Sequence, residues 1–361
     1  MAAQAFLFSS DEDSLSKLNN TASSIPSQLE MDTWRRKGPL GKLHNIVVYI
    51  QRSPQRRAAF QKLSQGRHLI RDNKTRWNSW YAMIGCAIDE KVRPAIELYC
   101  HQNQADIRED ILSIHDWENL ENIHTFLLDF HEVTLANEGR STTLEQVLPS
   151  MDYLLEKLES GKTTYAADAF MIPCINSSWA KLDKYYGLTE RSSVYIAAMV
   201  LIPSQKWTYF EDNWDPDWVI AGKKAVQELW QSQYRSTEVI IPSSEAQPVK
   251  TGFAKWRAEK ARQAPITDEY TRYCQVVCCP IEVESMAWWL ESTQRATYPN
   301  LSVMALDILS IPAMSAEPER LFSGSGITVT ERRNRLGAES IEALECLKSW
   351  LGNHVGGWLE Y

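Results

Sequence analysis

No apolar run in this chain is long enough to span a bilayer: the longest, residues 195–202, falls far short of the roughly 20 residues a membrane helix needs. The opening Met-Ala-Ala-Gln-Ala-Phe-Leu-Phe carries no basic residue and passes at once into Ser-Ser-Asp-Glu-Asp, the wrong order for a leader peptide. Paired cysteines are missing too. The seven present (Cys86, Cys100, Cys174, Cys274, Cys278, Cys279 and Cys346) are odd in number and show no C-x2-C pair with a second pair or histidines nearby. That excludes a disulfide framework or a zinc finger and predicts reduced thiols in a cytosolic or nuclear protein. There is no internal repeat and no low-complexity tract, and before about residue 235 no run alternates apolar and polar with the period of a strand. Positive charge is scarce overall, with 38 Lys and Arg against 46 Asp and Glu for a net charge of -8, which at face value argues against a nucleic-acid partner.

What is present is an ordinary globular composition. Apolar residues make up 44% and charged residues 23% of 361 positions, enough for one large or two smaller cores. The charge is unevenly spread. Residues 35–76 hold twelve Lys and Arg against one acidic residue, Asp72, whereas residues 89–159 hold sixteen Asp and Glu against five Lys and Arg. A basic block beside an acidic one fits a protein with one nucleic-acid-facing surface, and equally fits two solvated faces that neutralise each other.

The pattern predicts helices. Leu43, Ile46, Val47 and Ile50 recur at i, i+3, i+4 and i+7; Ser53-Pro54 supplies an N-cap and a first-turn proline for a second helix, with Phe60 and Leu63 inward and Gly66 ending it. Thr75 can cap a third helix with Trp77, Trp80, Met83, Ile84, Ala87 and Ile88 at helical spacing, and a short helix follows Arg93-Pro94. Further amphipathic stretches lie at 120–137, 143–158 and 194–202. Residues 1–8 read as the tail of a helix with nothing local to pack on, residues 9–33 as a polar loop, and 236–265 as a linker rich in Pro, Ser, Gln and charge. Beyond it, helix resumes at 268–273, the Trp288-Trp289 pair lies in 281–291, 301–309 is apolar at helical spacing, and 340–351 closes the chain.

Two blocks carry a specific resemblance. Asp72-Asn-Lys-Thr-Arg-Trp-Asn-Ser-Trp80 resembles the D-x-x-T-R-W-N-S block of the hAT superfamily of cut-and-paste DNA transposases. Residues 298–323, with Ser-Ala-Glu-Pro-Glu-Arg-Leu-Phe-Ser at their end, then Arg332-Arg-Asn-Arg-Leu336 and Leu344-Glu-Cys-Leu-Lys-Ser-Trp350, resemble the family's C-terminal dimerisation region. Residues 179–186, 194–203 and Lys206-Trp207 are similar to the family as well, so the likeness runs along essentially the whole chain.

The resemblance implies a mainly α fold, an all-helical insertion domain plus the C-terminal part of an RNase H-like transposase core. It implies a remnant of that core and a loop at 1–33, the helical region at 34–235, the linker at 236–265 and the dimerisation domain at 266–354. The family's chemistry is phosphodiester transfer on two Mg2+ ions held by three carboxylates, because hard cations need anionic oxygen ligands. The third carboxylate maps onto Glu319; the same residue also fits a carboxylate that complements a helix N-terminus beside Pro318. The first two aspartates and the BED-type zinc finger are expected ahead of Met1. A single carboxylate is a weak Mg2+ site, so no cofactor is expected on this chain and its catalysis is expected to be incomplete.

By the same resemblance Trp77 is the tryptophan that stacks on a displaced nucleotide and Arg76 its neighbour near the phosphates, chemistry that fits base stacking beside a guanidinium. Its alternative is a core tryptophan on the helix that buries Trp80 and Met83. Arg35, Arg36, Lys37, Arg56 and Arg57 are candidate phosphate contacts, and Leu321, Phe322, Ile341, Leu344, Leu347, Trp350 and Leu351 candidate dimerisation residues. Three functions follow: a catalytically incomplete transposase derivative that dimerises and contacts DNA in the nucleus, an active fragment whose missing carboxylates come from a full-length transposase partner or a longer gene product, or a helical scaffold without a DNA role. The implied partners are a second copy and DNA, and no membrane.

Overall fold

The computed structural model describes residues 2–7, 35–72, 77–139, 142–235 and 268–314, and residues 339, 340, 342, 343, 346 and 347. Among these the secondary structure is helical, with one isolated antiparallel bridge from Thr143 to Pro312. The fold is mainly α. Among the described residues no helix is long and apolar enough to cross a membrane, and the seven cysteines are free. The expected linker at 236–265, the loop at 9–33 and most of 340–351 lie outside the described residues.

The chain forms two compact units, Met1–Leu135 with Leu148–Ser193, and Ala136–Val147 with Val194–Tyr361. The change of unit therefore falls at 193/194, inside the region expected to run as one from 34 to 235, and residues 194–235 group with the C-terminal part of the chain.

The first unit contains α1 (Ala2–Leu7), α2 (Pro39–Gln51), α3 (Pro54–Leu63), α4 (Trp77–Ile88), α5 (Val92–Gln102), α6 (Ile114–Asn137), α7 (Val147–Thr164) and α8 (Met171–Thr189). The predicted stripe of α2 is its buried face, with Leu43, Ile46, Val47 and Ile50 all at 1% exposure or less. Each such side chain contributes about 1.5–3 kcal/mol through removal from water. Between α2 and α3, the Ser53 hydroxyl accepts the Arg56 N–H at 3.5 Å and Pro54 sits in the first turn, where its missing N–H costs nothing. α3 ends at Leu63 with Ser64 as its C-cap, and the left-handed Gln65 that follows, at φ 54°, turns the Gly66 N–H back to the Gln61 carbonyl at 2.8 Å. α4 buries Trp80, Tyr81, Met83, Ile84 and Ala87. The short α1 finds its partners far along the chain within this unit: it packs on α8, and buried Phe6 stacks on Phe126 of α6 at 4.9 Å.

The second unit contains α9 (Val194–Val200), α10 (Thr208–Asn213), α11 (Pro216–Leu229), α12 (Glu269–Gln275), α13 (Ser285–Leu290), α14 (Ser292–Thr297) and α15 (Pro299–Leu309). Its centre is the end of α9, where Ala197, Ala198, Met199, Val200 and Leu201 are fully buried. The carbonyls left over at that helix end accept from aromatic donors far along the chain: the Tyr273 hydroxyl reaches Val200 O at 3.1 Å and Trp289 Nε1 reaches Leu201 O at 2.8 Å. Glu269 of α12 receives the backbone N–H groups of Asn300 at 3.0 Å and Leu301 at 2.9 Å, capping α15 from a neighbouring helix. At the end of α11 a π-helical turn, Trp230–Tyr234, presents Trp230 Nε1 to both Asp268 carboxylate oxygens at 2.9 Å, while Arg235 Nε lies 3.8 Å from the same group. Residues 235 and 268 are thus held at one place in this unit.

Candidate nucleic-acid interface

The basic block lies on α2, α3 and the segments beside them, and much of its charge is spent within the first unit. Arg35 donates from Nε and Nη2 to the two carboxylate oxygens of Asp110 at 2.8 and 2.9 Å, and also pairs with Glu109. Asp110 is fully buried, and Asn45 Nδ2 gives it a third hydrogen bond at 2.8 Å. Lys42 Nζ reaches Asp116 at 2.7 Å. Burial pushes the Asp116 carboxyl up, but Lys42 together with the Ser113 N–H and hydroxyl outweigh it and hold it below the ordinary range. Arg56 stands over the Tyr49 ring at 3.6 Å, donates to the Tyr49 carbonyl and lies 4.0 Å from Asp106. Burial and then a hydrogen bond to Asp106 push the Tyr49 hydroxyl up to about 12. Arg67 meets Asp89 at 3.4 Å.

The partners of Arg35, Lys42, Arg56 and Arg67 all belong to the acidic stretch, so neutralisation between the two blocks is real for these four. Arg36, Arg57, Lys62 and Arg71 are different. They are exposed and form no ion pair among the described residues. Lys37 is half-buried and engaged within the fold.

Trp77 opens α4 and is half-buried. Its ring meets Tyr81 edge-on at 6.3 Å and His131 at 6.4 Å. Tyr81 in turn is stacked between His124 at 4.4 Å and His131 at 4.5 Å. Gly85 makes room for this: a Cβ there would stand 2.7 Å from His124 Nε2. Burial, then the neighbouring His131, lowers the pKa of His124. The structure thus gives Trp77 a packing role at the α4–α6 seam while leaving part of it accessible.

His44 was not legible as a site residue. Its Nδ1 lies 2.8 Å from Asp72 Oδ1 and its ring stacks on Trp80 at 5.5 Å, so one imidazole holds both the residue that opens the D-x-x-T-R-W block and the helix that follows it. The only signal was a histidine next to an apolar stripe, which is ordinarily a satisfied core residue.

Arg76, Glu319, Leu321, Phe322, Ile341, Leu344, Trp350 and Leu351 lie outside the described residues; Leu347 is described, and is 49% exposed. Between 269 and 314 the second unit also exposes Val276, Val277, Ile281, Leu290 and Val303. Among the described residues no three His, Cys, Asp or Glu side chains converge to hold a metal ion.

A cavity of about 460 Å³ in the second unit is lined by Lys206, Trp207, Lys223, Tyr270, Cys274 and Cys278 among others. Its buried lysine is structural: Lys206 Nζ donates to the carbonyls of Tyr273 and Val276, both at 2.7 Å, closing the C-terminal end of α12.

Comparison with known proteins gives these features a context. Residues 269–351 match the hAT family C-terminal dimerisation region and residues 25–126 the ZBED1 RNase-like helical domain. The chain is 26% identical over 321 residues to tpeD of Talaromyces stipitatus, a candidate transcriptional regulator, covering 84% of this chain and 35% of that protein. It is 26% identical over 300 residues to the zinc finger BED domain-containing protein DAYSLEEPER of Arabidopsis thaliana, covering 78% of this chain and 40% of the relative. Over 78 residues, 21% of this chain and 9% of the relative, it is 37% identical to the AC9 transposase candidate of Zea mays. The chain spans between about a third and two fifths of the length of the first two.

Together with these relatives, the two matched regions support a hAT transposase-derived protein that carries the family's dimerisation region.

Proposed function

We propose that the protein acts as a self-associating DNA-binding chain in the nucleus, in which the region 269–351 joins two copies and the first unit offers Arg36, Arg57, Lys62 and Arg71 to DNA phosphates. The observation that carries the DNA reading is the set of cations that remains after the acidic stretch has been satisfied. Arg35 leaves the list of phosphate contacts because Asp110 and Glu109 already hold it. Trp77, half-buried, keeps part of its ring accessible at the same unit, where an unstacked base could meet it.

Counterion release makes such binding salt-dependent, each phosphate contact adding about 0.9 to the slope of log affinity against log salt. The test is a DNA titration at two salt concentrations on the wild type and on an Arg57→Glu, Lys62→Glu, Arg71→Glu variant. Salt-sensitive binding that is weakened, with a shallower slope, in the variant supports the proposal. Binding indifferent to the three reversals overturns the assignment of this surface, and no salt-sensitive binding at all overturns the DNA reading.

A further inference from the structure

Two polar atoms at the α4–α6 seam of the first unit are buried and find no hydrogen-bond partner among the described residues: Asn78 Oδ1 and His131 Nδ1. Such orphans are uncommon, because a buried donor or acceptor left unpaired is costly. As whole residues both are only partly buried, so each side chain still reaches the surface.

The helix period places them together. Asn78, Tyr81 and Gly85 stand at i, i+3 and i+7 of α4 and share one face. That face lies against α6: Tyr81 is stacked between His124 and His131 at 4.4 and 4.5 Å, and a Cβ on Gly85 would stand 2.7 Å from His124 Nε2. Gly85 with His124 therefore marks one end of the seam, and Asn78 with His131 the other. Trp77 closes that second end, its half-buried ring meeting His131 edge-on at 6.4 Å. An accessible indole, an orphaned amide oxygen and an orphaned imidazole nitrogen gather at one place.

Stacking needs neither orphan. An indole takes any base by its face, which makes it indifferent to sequence. A carboxamide and an imidazole add direction. The Asn78 amide carries an acceptor beside a donor, the combination that reads adenine through its 6-amino group and the adjoining ring nitrogen. The His131 Nδ1 donates or accepts according to its tautomer. Charge favours a base over a phosphate here: burial, then the neighbouring Glu132, pushes the Tyr81 hydroxyl up, and the same negative charge repels a phosphate.

We propose that Asn78 and His131 hydrogen-bond the edge of an unpaired adenine whose face rests on Trp77, so that the seam selects among unstacked bases instead of accepting all of them. The proposal rests on the DNA reading and on the accessible part of Trp77, and it adds the base and the side chains that read it.

The test is anisotropy of labelled DNA duplexes titrated with the full chain, each carrying at one position an unpaired adenine, an unpaired purine lacking the 6-amino group, or an abasic residue. The wild type is expected to bind the adenine duplex about tenfold more tightly than the purine duplex, and the purine duplex more tightly than the abasic one through stacking on Trp77. Asn78→Ala is expected to bring adenine down to the level of purine with no fall in Tm, since it removes an orphaned acceptor. Trp77→Ala is expected to bring both down to the abasic level. Equal binding of adenine and purine by the wild type, both above the abasic duplex, would overturn the proposal and leave the base contact of Trp77 standing. An undiminished adenine preference in folded Asn78→Ala and His131→Phe would overturn it as well. Three duplexes bound alike by the wild type would remove the proposal together with the Trp77 contact, whereas the phosphate contacts are judged by their own salt dependence.

Discussion

At the scale of single residues, buried charge is the sharpest feature of the first unit. Asp110 has no exposure, and Arg35 and Asn45 supply it with three hydrogen bonds. Asp110→Ala would strand a largely buried guanidinium, and breaking such a pair costs about 3–5 kcal/mol. Urea unfolding is expected to show a loss of that size, whereas a surface-type pair would give a loss below about 1 kcal/mol. His124 gives a pH signature. Burial, and then His131, set its folded pKa below the ordinary 6.5, so the unfolded chain takes up that proton first. The stability linked to His124 is full above 6.5 and is lost as the pH falls below it, levelling off beneath the folded midpoint. An NMR titration of the ring should give a midpoint below 6.5; a midpoint at or above that value would contradict the packing seen around Tyr81. None of these pairings was legible, because the partners of Arg35 and His44 lie 75 and 28 residues away.

At the scale of elements, caps and stripes were legible and starts were not. Ser53-Pro54 and the Leu43–Ile50 periodicity appear as read, since their causes are local, whereas the C-cap of α3 is Ser64 and not Gly66. α6 begins at Ile114, six residues before the apolar spacing suggested, because Ser113 and Asp116 form a reciprocal cap there. α11 escaped notice because it buries only Val219, Gly222 and Val226 while Trp218 and Ile220 break the stripe by facing solvent. Arg235 and Asp268, which flank the expected linker, meet within one unit. Replacing 237–266 with a short Gly-Ser connection is therefore expected to leave the thermal midpoint within a few degrees, since loop-closure entropy varies only slowly with length. A collapse of the midpoint in calorimetry would mean that this stretch is part of the core.

At the scale of the whole molecule, the sequence showed helical content, the family and the C-terminal region, but not the grouping of residues 194–235. Tyr273, Trp289 and Trp207 tie those residues to the C-terminal helices through hydrogen bonds spanning 63 to 88 positions, which periodicity cannot show. The exposed apolar side chains of this unit, Val277, Ile281 and Leu347 among them, are what a self-associating surface offers. The most direct measurement of the central claim is light scattering on the purified chain across a dilution series, with Leu347→Glu beside the wild type. The account predicts about twice the 41.4 kDa chain mass for the wild type and a shift toward the single-chain mass in the variant. A wild type at the single-chain mass at every concentration would contradict it.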